Sequence, residues 1–357
     1  MSSELITLLS TTLTFFSIYV ILSLSLNLEY GFTGIPNFGK VFFFSLGAYV
    51  TGTFVPRVMH FLFQIDEPIC SATASTKRIV LGIQEPAALM MIFIMSLILS
   101  GIIGAVVGYI LSYPSLKLRG DYLAISLLIV AELCRVFVRT EPSIVCGTNG
   151  IGGLPNPFIW IEDAITKEVS YSTLSATIAF LTYFFIQRIV NSPYGRVLKS
   201  IRDDELASQL LGKDVKKFKS EVLMFASSLS AIAGCLYAFF IGFVYPDDFI
   251  IVWTMYAWLM LLLGGVGNNR GVVLGSLVMV MIDRGLRRIP SFWLSLPFDI
   301  SYLRGIIFMV LLLVIIMYRP RGIFPEKPLE TPAKKVFETF IRNSLKFKKN
   351  NLINSSE

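Results

Sequence analysis

Long uncharged apolar runs alternate along this chain with short polar breaks, and the runs have the length of membrane-crossing helices. Residues 5–28 hold 24 positions without a charge, ample for a helix through roughly 30 Å of hydrocarbon. Residues 29–40, EYGFTGIPNFGK, interrupt the run with three glycines and a proline. The apolar pattern resumes at 41–56, which predicts a second span over about residues 36–59. Residues 64–86 form a mixed-charge loop with no clear element. A third span is predicted at 87–111, where Gly101, Gly104 and Gly108 sit at helical spacing and permit close helix contact. After a basic turn (Lys117, Arg119), residues 122–138 give a short fourth span holding Glu132 and Arg135 one turn apart. Such an intramembrane pair should face protein or water rather than lipid.

Residues 140–168 are rich in Gly and Pro and carry Glu141, Glu162, Asp163 and Glu168 against Lys167. Spans five and six are predicted at 171–190 and 222–244, on either side of a charged insert. Two short apolar pieces, 251–263 and 271–282, flank GGVGNNRG, and 300–318 is the last span before a basic tail. The pattern therefore predicts an all-α, polytopic helical bundle of about eight to ten spans, nine in this count. Residues 1–324 form the membrane domain and 325–357 the tail. With the N-terminus outside, nine crossings put the turn at Lys117, the charged insert and the tail inside, as the positive-inside rule asks. Arg284, Arg287 and Arg288 disagree, because they fall outside. Either the two short pieces do not both cross, or these arginines sit among lipid headgroups.

The charged insert, residues 191–220, is the longest strongly polar interruption of the chain. From Arg188 to Lys219 it holds eight cations against four acids. Ile201, Leu206, Leu210 and Leu211 recur within it at helical spacing, predicting a helix with one apolar face, and Gly212 supplies a stop. Two readings are open: a helix offered to a soluble partner, or a solvated spacer between spans.

Composition agrees with the pattern. The 357 residues are 54% hydrophobic and 15% charged, where soluble domains carry about 25% charge. The formal +7 sits in loops and tail, so it sets orientation and does not point to nucleic acid. Cys70, Cys134, Cys146 and Cys235 lack metal-binding spacing, and no disulfide framework is implied; small apolar core thiols are the expectation. The single His60 excludes a histidine-based metal site. Residues 5–28 are too long for a cleaved leader and are read as a retained span. No H-E-x-x-H or G-x-S-x-G occurs, so the chain is not expected to be an enzyme. Gly34 to Lys40 nearly matches the phosphate loop G-x-x-x-x-G-K-[ST], but Val41 removes the metal-binding hydroxyl and phenylalanines follow. It is read as a helix break where backbones pack closely. ATP, if it drives this protein, is then hydrolysed by another chain.

Six blocks in order carry a family resemblance: SLNLEYGFTGIPNFGKVFFFSLGAYV (25–50), LKLRGDYLAISLLIVAELCRV (116–136), GTNGIGGLP (147–155), SPYGRVLKSIRDDELASQLLG (192–212), LLGGVGNNRGVVLGS (262–276) and YRPRGIF (318–324). Together they resemble the branched-chain amino-acid ABC-transporter permeases, in the LivM-like branch because of the RGDY and GTNGI blocks. The sequence departs from the family in lacking a His near Lys40 and in placing Ser208 where Ala is usual; residues 60–86 and the tail match nothing in it.

The resemblance implies one permease of an ATP-driven importer in the cell membrane. Its expected partners are a homologous LivH-like permease, two cytoplasmic ABC ATPase subunits that bind ATP and Mg²⁺, and an extracytoplasmic substrate-binding protein. No cofactor or metal is expected on this chain, and membrane lipid surrounds it. The insert resembles the coupling loop, with Gly195, Arg196, Arg202, Glu205, Ala207 and Gly212 at the ATPase contact. The candidate substrate path takes Gly34, Gly120, Asp121, Glu132, Arg135, Thr148, Asn149, Gly150, Gly264 and Gly265. The resemblance leaves urea, short amides or another small metabolite open as substrate. A stand-alone secondary transporter is the competing class, with Glu132 and Arg135 its one charged candidate.

Overall fold

In the computed structural model the apolar runs become helices, and residues 2–115, 118, 120–287, 300–319 and 322–326 are described. The chain divides into two compact units, Met1–Pro325 and Glu326–Glu357. The basic tail beyond Glu326 lies outside the described residues, as do Lys117, Arg119 and Arg288.

Helix α1 (Ser2–Leu26) runs into a π turn at Asn27–Gly31, and α2 (Lys40–Phe63) follows a non-helical stretch. The mixed-charge loop is not featureless: α3 (Ala72–Gln84) forms there, capped by the Ser71 hydroxyl accepting from Ala74 N–H. Next come α4 (Pro86–Ser115), α5 (Gly120–Thr140), the single-turn α6 (Pro142–Val145) and α7 (Ala164–Asn191). The insert folds as α8 (Pro193–Asp203) and α9 (Glu205–Leu210), and α10 (Val215–Ile241), α11 (Val252–Gly264), α12 (Asn269–Arg287) and α13 (Ile300–Tyr318) complete the bundle. The only strands among the described residues are β1 (Ile151–Gly152) and β2 (Phe243–Val244), paired antiparallel with Ile151 opposite Val244.

Among the described residues six helices are long and apolar enough to cross a membrane. Helices α5, α12 and α13 fall outside that set, but α5 packs on α2, α12 on α11 and α1, and α13 on α11. Where the predicted second span starts at 36, the helix starts at Lys40, because residues 34–39 are non-helical, beginning at Gly34 (φ 75°).

Close backbone approach holds the centre. A Cβ on Gly104 of α4 would stand 2.6 Å from the Ala231 methyl of α10, and one on Gly108 would stand 2.5 Å from the Ser227 hydroxyl. Small residues let helices meet by dispersion and weak hydrogen bonds where lipid removes the hydrophobic drive. The same helix pairs recur when α1 is exchanged with α10, α2 with α11, α4 with α12 and α5 with α13. Thus α10 packs on α4 and α2 as α1 packs on α12 and α11, and the Ser25 and Ser230 hydroxyls meet at 3.0 Å between α1 and α10. The C-terminal end of α1 lies beside the insert that leads into α10, so these two helices run in opposite senses. The bundle therefore contains an inverted repeat.

Candidate functional site

The two ends of the bundle differ in chemistry. At the end remote from the insert, α3 is pinned to the 140–154 loop. A disulfide joins Cys70 to Cys146, with Cα atoms 5.8 Å apart. That corrects the expectation of four free thiols: residues 76 apart in sequence meet only because α2 and α5 end side by side, which spacing does not reveal. Cys134 and Cys235 remain free. Beside the disulfide the fully buried Arg78 uses its guanidinium as a clamp, donating to the carbonyls of Gly152 (2.7 Å), Gly153 (3.2 Å) and Ile69 (3.0 Å) and to the Ser75 hydroxyl (3.0 Å). His60 Nε2 lies 3.0 Å from the same group. Burial lowers the Arg78 pKa to about 10, so it stays charged at neutral pH.

Arg135 also belongs to this end. It pairs with Glu132 on its own helix and with Asp247 in the turn after β2, and Arg139 reaches the same Asp247 at 3.6 Å. Arg135 is turned onto protein, against the turn that holds Asp247, whereas Glu132 is exposed. Thr148 and Asn149 are exposed on a 3₁₀ turn nearby, and Gly150 is buried against Phe243.

The other predicted path residues lie at the opposite end. Gly120 and Asp121 are exposed at the start of α5. Gly264 packs backbone to backbone on Gly271, and Gly265 lies where a Cβ on Gly322 would be only 2.5 Å away. The structure thus does not gather the ten path residues; it splits them between two ends.

What it does gather is the insert and the break after α1. Asp204, extended at φ −153°, ends α8 and caps α9 by accepting from Ala207 N–H at 3.0 Å. The insert is therefore two helices rather than one, and its apolar residues do not share a face. Ile201 is 2% exposed and turns into the bundle, whereas Leu206, Leu210 and Leu211 are 71%, 89% and 78% exposed. Arg196, Glu205 and Ala207 are exposed as well, and Glu205 pairs with Lys219 at 2.6 Å. Gly195 is buried where α8 turns off α7, and Gly212 closes α9 at φ 77° with open space around it. Ser208 is buried, its hydroxyl donating to the Asp204 carbonyl at 2.9 Å, which absorbs the extra polar atom.

Arg202 turns the other way. Its guanidinium donates to the Gly31 carbonyl at 2.5 Å, a carbonyl left over where the π turn ends. Lys199 stands 5.5 Å from the centre of the Phe32 ring, within cation–π range. Gly34 passes so near that a Cβ would lie 3.4 Å from the Arg202 side chain.

Behind this grip lies a pair that sequence reading missed. Lys40 Nζ is 3.0 Å from Glu29 Oε1, and both side chains are fully buried. Asn37 donates to the other Glu29 oxygen at 3.1 Å, Lys40 also reaches the Ala226 carbonyl of α10 at 3.4 Å, and Trp258 of α11 donates to the Asn37 carbonyl at 3.1 Å. A Cβ on Gly39 would stand 2.2 Å from the Leu127 carbonyl, so the loop that mimics a phosphate site is packed protein. Non-helical backbone at membrane depth survives only where such partners satisfy it. A second network starts at Asn27, which donates to Asn269 (2.8 Å) and accepts from Gly267 N–H (3.0 Å), while Asn269 donates to Gln187 of α7 (2.9 Å). The only clue to the first pair is two opposite charges flanking a glycine-rich break; their 11-residue separation gives no contact until the chain folds back.

A helical membrane bundle with a broken first helix, an inverted repeat and an insert presenting leucines defines a transport permease. The chain belongs to the family described as branched-chain amino acid transport system / permease component, which matches residues 8–316. It is 36% identical over 342 residues to a probable branched-chain amino acid transport permease protein LivM of Methanocaldococcus jannaschii, covering 93% of this chain and 98% of the relative. It is also 26% identical over 330 residues to the high-affinity branched-chain amino acid transport system permease proteins LivM of Escherichia coli and Salmonella typhimurium, covering 86% of this chain and 68% of each. No solved structure matches the chain. It is a multi-pass membrane protein of a transport, not an enzyme, family.

Proposed function

We propose that the chain is the LivM-like transmembrane subunit of an ATP-driven importer of branched-chain amino acids, with α8 and α9 as its coupling helices. The observation that carries this reading is the insert's two-sided chemistry: Leu206 and Leu210 of α9 and Leu211 at its end outward, Arg202 inward on the α1 break. Exposed leucines beside cations suit a groove in a soluble partner, here an ABC ATPase that binds ATP and Mg²⁺. The insert end is then cytoplasmic, and the N-terminus, the disulfide and α3 lie outside, where an oxidising environment maintains a disulfide. A LivH-like permease completes the pore, two ATPases drive it, and an extracytoplasmic binding protein delivers substrate.

Closure of the ATPases would move α9, and α8 would pass that movement through Arg202 to the break and the buried Glu29–Lys40 strut. ATP then shifts a two-state equilibrium through contacts that differ between the states. The candidate path runs from the Glu132–Arg135 and Thr148–Gly150 end to the Gly34 and Gly264–Gly265 end. Affinity purification from native membranes tests the reading: a Walker-motif ATPase and a second permease should co-purify, and vesicles of the complex should take up leucine with ATP. Leu210→Asp and Gly212→Trp should leave the chain in the membrane yet lower co-purified ATPase and ATP-driven uptake at least tenfold. Uptake by the isolated chain without ATP would replace this reading with a secondary transporter.

A further inference from the structure

An apolar groove of about 480 Å³ runs between α1, α7 and α12, bordered by the exposed Leu13, Phe180 and Leu274. Arg270 alone among its lining residues is charged, and it is exposed at the α12 end. A smaller recess follows along α7, lined by Phe184 and by four residues with polar side chains, Gln187, Arg188, Asn191 and Ser192. The two are joined by helical geometry: Phe180, Phe184 and Arg188 are four apart, as are Tyr183, Gln187 and Asn191, so two stripes of α7 pass from apolar to polar in one direction. The Asn269–Gln187 hydrogen bond of 2.9 Å fastens the first turn of α12, which carries Arg270, to that level of α7. Neither Arg188 nor Arg270 has a side-chain partner among the described residues, and α8 begins directly after the recess.

A slot that is apolar along the bundle and cationic at one end has the chemistry of a single amphiphile. We propose that this groove binds an anionic phospholipid of the leaflet on the insert side, with an acyl chain against α1, α7 and α12. Its phosphate lies between Arg188 and Arg270, and Gln187 and Asn191 offer hydrogen bonds to the headgroup. Guanidinium groups match phosphate oxygens in a forked geometry, and an unpaired cation at the edge of the hydrocarbon is best satisfied by a headgroup. This inference does not depend on which solute is carried. It places a lipid-responsive contact on α7 and on the Asn27–Asn269 network, next to the coupling helices.

The test uses the purified chain with whatever subunits accompany it, delipidated in detergent and titrated with phosphatidylglycerol, phosphatidylcholine or inorganic phosphate, with thermal unfolding as readout. Phosphatidylglycerol should raise Tm at concentrations at least tenfold lower than phosphatidylcholine. Arg188→Gln/Arg270→Gln should abolish that preference while leaving the phosphatidylcholine response. Leu274→Trp, an exposed filler of the groove, should weaken both. Equal responses to the two lipids, an unchanged preference in the double variant, or a full shift with inorganic phosphate alone would overturn the proposal. So would capture of a second permease, rather than phospholipid, by a photoreactive residue at position 274.

Discussion

Lys40 and Glu29 show what one pair of side chains does in a hydrocarbon setting. Each alone would be an uncompensated charge in the bundle, and together with Asn37 and the Ala226 carbonyl they are satisfied. Removing one partner of a buried pair costs about 3–5 kcal/mol, whereas a neutral pair of similar shape costs far less. Lys40→Met is therefore expected to lower the thermal stability of the detergent-purified protein sharply, and Glu29→Gln/Lys40→Met to recover most of the loss. Thermal unfolding of the two variants side by side checks this, and an equal loss in both would refute the strut. The near-match to a phosphate loop names Lys40 in the sequence, but its partner lies across a chain reversal and has no local signature.

At the level of elements, α3 is the least legible from sequence and the most constrained in the fold. Its polar stretch gave no helical periodicity, and the Cys70–Cys146 bond and the Arg78 clamp that hold it are both long-range. Replacing Cys70 and Cys146 with Ser should destabilise the protein by about 2–4 kcal/mol, as expected for opening a long loop, measured by thermal unfolding with and without reductant; the wild type in reductant should match the variant. The ion pair from Lys77 to Glu67 makes α3 sensitive to acid. The Lys77 hydrogen bond holds the Glu67 carboxyl below its ordinary range. A depressed acid stabilises fully above the unfolded-state pKa, and that contribution fades as pH falls through the lowered one. Amide protection over 72–84, corrected for the intrinsic pH dependence of exchange, should thus be steady from neutral pH down to the ordinary carboxylate range and fall below it. Glu67→Gln should remove that step.

Across the whole molecule, the insert and the membrane core meet at Arg202. Arg202→Gln loses a charged hydrogen bond to the Gly31 carbonyl, worth about 1.5–3 kcal/mol, while α9 keeps its outward leucines. The expected outcome is a complex that still holds its ATPase and hydrolyses ATP but takes up less solute per ATP. Reconstituted vesicles measuring both rates decide this; unchanged coupling would show that the movement travels by another contact. The break after α1 touches α8, α10 and α11 together, so a change at Arg202 meets three helices at once.

Apolar runs, glycine spacing and charge bias determined the helical class, the approximate spans, the Gly104–Gly108 contact and the place of the insert, because these follow from local period and from the solvent each segment meets. The amphipathic insert was legible as helical, but its division at Asp204 and the opposite facing of Ile201 and Leu210 were not, since a cap and a bundle surface decided them. The Glu29–Lys40 pair, the disulfide, the Arg78 clamp and the split of the glycine-rich segments between two ends came from tertiary structure alone. Each joins residues far apart in sequence, and no helical or strand period relates them; only the packing of α1, α2, α5 and α10 brings their atoms within bonding distance.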